Sequence, residues 1–341
     1  MEEIPLSEEP PHLRVGITYN LKKAAASDAP DDEAEYDEYS TILAIKSALK
    51  KGGYRAELLE ATPELPQKLA KSRPDIVFNI AEGRKGRGRE AQVPALLNFF
   101  QIPFTGSDET TLCIALDKAL TKRILASYRI RTPRWAVARH GAPVSSVRVP
   151  FPAIVKPNAE GSSKGIFGVS IVKDREELRK LLEENMERYG QDMLVEKYIG
   201  GREFTVGVLG NGKDTRVFPP MEIVYTNQKN PYNIYSFEVK KEYKTYVKYE
   251  CPANVTAALR SEIEETARKI YEILECRDAA RIDFRLSEDG LLYFIEINPL
   301  PGLAPGYSDY PMLAAFSGMD YDALIQNVLA AAVKRCGLAA R

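Results

Sequence analysis

Histidine is nearly missing from this chain, with two residues in 341, His12 and His140. Because His12 falls in an acidic, proline-rich leader, a histidine-based zinc site and a Ser-His-Asp triad both lack their raw material. Cysteine is sparse as well: Cys113, Cys251, Cys276 and Cys336 are scattered, with no Cys-x-x-Cys pair and no disulfide framework. No apolar run approaches the ~20 residues a membrane span requires. The opening "MEEIPLSEEPPHLR" is the opposite of a signal peptide's basic start and apolar stretch. An excess of either charge is also absent. The 47 Lys and Arg against 48 Asp and Glu give a net charge of −1, so bulk electrostatics recruit neither nucleic acid nor a membrane surface. These absences leave a cytoplasmic protein acting on small molecules.

The residues present, 44% of them hydrophobic, suffice for two or three domains with real cores. After a disordered leader (1–12), "LRVGITYN" reads as a buried strand. An acidic, alanine-rich loop follows over 24–38. A helix then runs from about Ser40, with Ile42, Ile45 and Leu49 on one face, and stops at Gly52-Gly53. "YRAELLE" and "DIVFNI" are further strands. The β-α-β-α-β order predicts an α/β unit over 13–105, a Rossmann-like parallel sheet with functional loops beyond its strand ends. After its third strand comes "AEGRKGRGRE" (81–90), either a mobile solvated loop or a binding loop. "IPFTGSD" (102–108) looks like a domain junction, followed by a helix containing Asp117 and Lys118 and by strands around Trp135 and in "AIVKPN". Beyond "DMLVEKYIGGREFTVGVLGN" the pattern is strand-rich, with one amphipathic helix (Leu259, Ile263, Ala267, Ile270, Leu274) and a last helix over 321–334.

The most informative stretch is "RIDFRLSEDGLLYFIEINPLPG" (281–302), where two alternating runs flank Asp289-Gly290. A two-residue turn there places Asp283 opposite Glu296 and Arg281 opposite Asn298, all on one face, with Ile282, Phe284, Leu286, Ile295 and Ile297 facing a core. Directly opposed carboxylates repel each other. A hard cation with oxygen ligands, Mg²⁺ above all, suits such a cluster. The alternative is a solvated acidic strand face, but "NPLPG" ends the strand beside the polar group and favours the metal.

Three further segments carry candidate chemistry. "VKPNAEGSSKGIFG" joins a strand-borne lysine to a Gly/Ser loop, which is either a plain turn or a set of backbone donors for phosphate. It does not match the GxxxxGK[ST] pattern. "LVEKYIGGREF" presents Glu196 and Glu203, as surface decoration or as acceptors for a nucleoside. The stretch 225–249 holds six tyrosines and five lysines, too polar for a core, and reads as an active-site lid or a solvated edge hairpin.

In order along the chain, "IPFTGS", "LDKALTK", "VKPNAEGSSKG", "LVEKYIGGREFTVGVLGN", "YECPA", "RIDFRL" and "IEINPLPG" resemble the ATP-grasp superfamily, and within it the D-alanine–D-alanine ligases. The resemblance implies a two-subdomain, α+β ATP-grasp fold, with the small subdomain over 106–193 and the C-terminal subdomain over 194–341, including the lid 225–249. It implies ATP and Mg²⁺, as one ion or two with Mn²⁺ as a substitute, small amino-acid or carboxylate substrates, and a homodimer. In such enzymes one carboxylate attacks the γ-phosphate of ATP and an amine then displaces phosphate from the acyl phosphate. By resemblance, Lys118 and Lys156 contact the phosphates, and the loop from Glu160 through Ser162 and Ser163 closes over them. Glu196, Lys197, Ile199 and Glu203 frame adenine and ribose, while Glu238 and Lys240 reach phosphate from the lid. Asp283, Glu296 and Asn298 hold the metal, Arg281 stabilises the oxyanion, and Gly302 and Ser308 bind the acceptor.

Departures from the family pattern concern the substrates. Lys241 stands where a D-alanine ligase has tyrosine, leaving Ser162 without that partner. Glu35, in "AEYDEY", is only an approximate counterpart of the donor-binding glutamate. The loop "AEGRKGRGRE" has no histidine and adds Arg84, Arg87 and Arg89, an opening for a substrate with an extra anionic group. Authentic D-alanyl-D-alanine synthesis, the same chemistry on another amino acid, peptide or carboxylate, a nucleotide-binding regulatory protein with a retired site, and an ATP-independent acid–base hydrolase are the readings this leaves.

Overall fold

Strand β1 (Arg14–Tyr19) is buried along all but its first residue, as its apolar sequence predicts. It is the centre of a parallel sheet ordered β2-β1-β3, flanked by β2 (Arg55–Glu60) and β3 (Ile76–Asn79). Helix α1 (Tyr39–Lys51) buries Ile42, Ile45, Ala48 and Leu49 at helical spacing and ends at Gly52. Helices α2 (Leu65–Ser72) and α3 (Gln92–Phe99) complete this unit. The computed structural model describes residues 13–22, 36–143, 147–160, 171–226, 232 and 243–338. The leader, Glu35, Ser162, Ser163, Glu238, Lys240, Lys241 and most of the 225–249 stretch lie outside the described residues. No helix among the described residues is long and apolar enough to cross a membrane.

The expected single helix around Asp117 is two, α4 (Glu109–Leu116) and α5 (Lys118–Ser127). Asp117 ends the first and caps the second, accepting from the Leu120 amide at 2.9 Å. A four-stranded sheet follows, ordered β4-β7-β5-β6, from β4 (Trp135–Ala138), β5 (Ala153–Pro157), β6 (Ile171–Val172) and β7 (Met193–Lys197). It packs on α6 (Arg175–Tyr189), a helix capped by Asp174 that hydropathy periodicity had not brought out.

The largest sheet runs β11-β10-β8-β12-β13, with β9 (Arg216–Val217) also paired to β8. Its strands are β8 (Arg202–Leu209), β10 (Met221–Tyr225), β11 (Val247–Glu250), β12 (Ala279–Leu286) and β13 (Leu292–Asn298). Helix α7 (Ala257–Ile273) covers one face through Ile263, Ala267 and Ile270. Helices α8 (Asp309–Phe316) and α9 (Tyr321–Arg335) return to the first sheet, and Leu324, Ile325, Val328 and Leu329 share its core. Fully buried Asp278 ties these parts together. Its carboxylate accepts from the Gly106 amide at 2.8 Å, Asn211 at 2.7 Å, and Arg335 at 2.7 and 3.1 Å.

Candidate active site

The hairpin of β12 and β13 places Arg281 opposite Asn298 and Asp283 opposite Glu296, the pairing its sequence predicts. The turn, however, is not the expected one. Ser287 and Leu291 close a three-residue loop (Ser287 N–H to Leu291 O, 3.0 Å), with Gly290 in the left-handed region at φ +78°. That shifts the register by one residue, and a bulge at Ile295 shifts it back. In consequence Ile295 is only half-buried, Leu286 likewise, and Leu292 and Phe294 fill the core instead.

Around this face the charges are tightly organised. Arg281 donates from Nε and Nη2 to Asp283 at 3.1 and 2.9 Å, and its Nη1 lies 3.4 Å from Asp309. Thr205 donates to Asp283 at 2.7 Å. Burial opposes the guanidinium's charge, but Asp283 and Asp309 outweigh it and raise its pKa. Burial also raises the Asp283 carboxyl, and nearby Glu296 adds to the rise. For Glu296 burial acts the same way, yet Lys118, Lys156 and Arg281 prevail and hold it at about 2. Glu296 is therefore ionised at neutral pH. Asn298 Oδ1 accepts the Leu300 amide at 3.0 Å, which leaves its second lone pair.

Facing Glu296 are the lysines. Lys118 Nζ lies 3.7 Å from Glu296 and also donates to the Glu160 carbonyl. Asn158, just past β5, fixes the start of α5 by accepting from the Lys118 and Ala119 amides at 3.0 Å. Glu196 sits across from Ile154, so Lys156 is its diagonal neighbour on the same face, and their ion pair is 2.7 Å. The other Glu196 oxygen is 3.0 Å from Lys122, which the sequence reading did not single out. The Glu196 carboxylate is thus held between two lysines. Lys197 donates to the Phe151 carbonyl at 2.8 Å, and Ile199 follows on the connection to β8. Glu203 Oε2 takes both Tyr225 Oη (2.7 Å) and Arg285 (3.1 Å), bonds that leave Oε1 free of either.

Beyond β13, Gly302 lies against Ser308, and a Cβ on Gly302 would come 2.9 Å from Ser308 Oγ. Ser308 precedes α8 and accepts the Ala304 amide at 3.1 Å. Two arginines of the 81–90 loop have protein partners. Arg87 pairs with Asp117 at 2.6 Å. Buried Arg89 donates to the Ala159 carbonyl at 2.8 Å and lies 3.5 Å from Glu160, which ties it to the segment just after β5. Arg84 stays exposed.

Half-buried Asp37, bonded through its backbone to Asn20 and Lys22 beyond the end of β1, has its carboxyl raised to about 7 by burial. A carboxyl raised above its unfolded value contributes stability below about pH 4 and loses it as pH rises through about 7. Asp37→Asn is therefore expected to raise Tm by about 2–4 °C at pH 8. At pH 4 the two proteins should melt together, and scanning calorimetry at both values checks this.

Comparison with known proteins places this geometry. The profile of the "D-ala D-ala ligase C-terminus" matches residues 130–330. The D-alanine–D-alanine ligase of Syntrophotalea carbinolica is 34% identical over 86% of this chain and 91% of its own length. That of Aquifex aeolicus is 34% identical over 85% of this chain and 93% of its own. The chain belongs to the D-alanine–D-alanine ligase family. As a member of that family it is an ATP-dependent ligase of the D-alanine–D-alanine ligase type. The crystal structure of the Bacillus anthracis D-alanine–D-alanine ligase complexed with ATP superposes with a TM-score of 0.72 at 22% identity, covering 96% of this chain and 99% of that one. The fold is therefore the ATP-grasp fold of these ligases, as the sequence implied. A Sinorhizobium fredii relative described only as uncharacterized protein y4sG is 31% identical over 85% of this chain and 87% of its own, so similarity alone does not choose the substrates.

Proposed function

We propose that this protein forms an amide bond between two amino acids, converting ATP to ADP and phosphate through an acyl phosphate. The observation that carries this is the single face where Arg281, Asp283, Glu296 and Asn298 meet Lys118, with Lys156 near enough to help keep Glu296 ionised. Two opposed carboxylates and an amide oxygen suit Mg²⁺, and the ionised state of Glu296 fits a ligand that must be deprotonated. Mg²⁺ held by Asp283, Glu296 and Asn298 supplies neutralisation of the phosphate oxygens. Lys118 and Lys156 orient the nucleotide's phosphates from the opposite side. Arg281, kept charged by Asp283 and Asp309, points a fixed donor at the oxygen that becomes negative when the acceptor amine attacks. The Glu203 oxygen not taken by Tyr225 and Arg285 is available to a ribose hydroxyl. Gly302 and Ser308 lie where the acceptor carboxylate would bind.

D-Alanine as both donor and acceptor is the first pair to test. The main argument for a substrate with an extra anionic group rested on Arg84, Arg87 and Arg89, and two of these already have protein partners. Purified protein with ATP and Mg²⁺ should release ADP and phosphate when D-alanine is added, with a dipeptide in equal amount by mass spectrometry. If no amino-acid pair from a broad D and L panel stimulates ADP release, the ligase function is wrong. A retired regulatory site is disfavoured because Arg281 and all three metal-site residues are present.

A further inference from the structure

Lys122 is completely buried, a rare place for a lysine, and two hydrogen bonds and an ion pair hold its ammonium group. Nζ lies 2.8 Å from the Ile295 carbonyl, 3.0 Å from Glu196 Oε2 and 3.1 Å from Thr132 Oγ1, with the Phe294 ring 5.4 Å away. Those oxygens belong to different parts of the site. Glu196 is on β7 of the small sheet, where it also grips Lys156. Ile295 is the bulged residue of β13, the one skipped in the pairing of β12 with β13. A bulge leaves its extra residue outside the ladder, so its carbonyl has no strand partner. Lys122 supplies the donor instead. The bulge is also what returns Glu296 to the position opposite Asp283; without it the next residue along the register would face Asp283.

We propose that Lys122 is a positioning residue that joins the two halves of the nucleotide site. Through the Ile295 carbonyl it holds the bulge that sets Glu296 against Asp283, and through Glu196 it fixes the direction of Lys156. It touches no reacting group. The Lys122–Glu196–Lys156 set carries two positive charges and one negative, so it brings a net positive charge into a buried site. That excess suits bound phosphate. Lys122 is four residues after Lys118 on α5, one turn further along the same face, so one helix supplies both a lysine aimed at Glu296 and the lysine that positions the strand carrying it.

This inference rests on the Mg²⁺–ATP function proposed above, and its test is a binding measurement that needs no turnover. Titrate Mg²⁺ at fixed ATP and follow nucleotide binding by calorimetry in the native protein, Lys122→Met and Thr132→Val, with Leu125→Ala as a control. Leu125 is a fully buried core residue of the same helix. Lys122→Met is expected to raise the Mg²⁺ concentration for half-maximal binding about tenfold or more, the range typical of groups that orient metal ligands. Thr132→Val, which removes one of the two hydrogen-bond acceptors and keeps the charge, should shift it in the same direction by less. Leu125→Ala should lower Tm and leave the Mg²⁺ dependence unchanged. If Lys122→Met does not fold, Thr132→Val decides. Lower Tm with an unmoved Mg²⁺ dependence in the folded variants would make Lys122 merely structural and overturn the inference. Failure of the native protein to bind ATP with Mg²⁺ overturns the ligase function instead, a separate outcome.

Discussion

Glu296→Gln should lower kcat roughly 10³-fold, equivalent to the several kcal/mol that a metal ion contributes to a charged transition state. Glutamine keeps the side-chain length and one oxygen but removes the charge that Lys118, Lys156 and Arg281 hold in its ionised form at about pKa 2. Two effects combine. The metal loses an anionic ligand, and Asp283, raised by burial and by Glu296, is left as the only carboxylate on the strand pair. The Mg²⁺ concentration for half-maximal rate should rise with the fall in kcat, because the lost interaction is with the metal. Steady-state ADP release measured across a Mg²⁺ series checks both parts. A variant within about tenfold of the native rate, with an unmoved Mg²⁺ dependence, would remove Glu296 from the metal site.

Arg281→Met should lower kcat about 10²- to 10³-fold, the loss seen when one preorganised oxyanion donor is removed. ATP binding should change far less, since the phosphate lysines are on other elements. The effect on stability has the same origin as the effect on rate. Arg281 is a partly buried fork between Asp283, at 2.9 Å, and Asp309, at 3.4 Å. Removing it leaves buried Asp309 and partly buried Asp283 without their counter-charge, a change that destabilises by roughly 3 kcal/mol. Arg281→Lys restores the charge but cannot reproduce the two-point hydrogen bond to Asp283, so it should recover stability better than rate. Calorimetric melting beside steady-state kinetics separates the two. An Arg281→Met enzyme with native kcat would show that the oxyanion is stabilised elsewhere.

Much of this site was legible in the sequence because strand alternation is strict. Once Arg281, Asp283, Glu296 and Asn298 fall on alternate positions of paired strands, they must share a face. Even there the agreement came from two compensating local features. A three-residue turn in place of a two-residue one and a bulge at Ile295 cancel, so the polar pairing is as expected while the core pairing is not. Neither feature has a signature in periodicity alone. Lys122 escaped notice for a different reason. Its function depends on oxygens brought together from positions 132, 196 and 295, and only its spacing of four from Lys118 hinted that both belong to one face. The fates of Arg87 and Arg89 are also tertiary, set by Asp117 and by the Ala159 carbonyl. Helix α6, by contrast, could have been found. Asp174 bonds the Glu176 and Glu177 amides, and Gly190 closes the other end in the left-handed region, which together form a start and a stop signal.

In the proposed reaction a carboxylate attacks the γ-phosphorus of ATP, which releases ADP and forms an acyl phosphate. The most direct test uses donor amino acid labelled with ¹⁸O in its carboxyl group, D-alanine first and then any donor that stimulates ADP release. Phosphate is collected after turnover and analysed by mass spectrometry. One labelled oxygen in phosphate for each amide bond formed, with ADP as the nucleotide product, is the expected result. Amide formation with unlabelled phosphate, or with AMP and pyrophosphate as products, would contradict it.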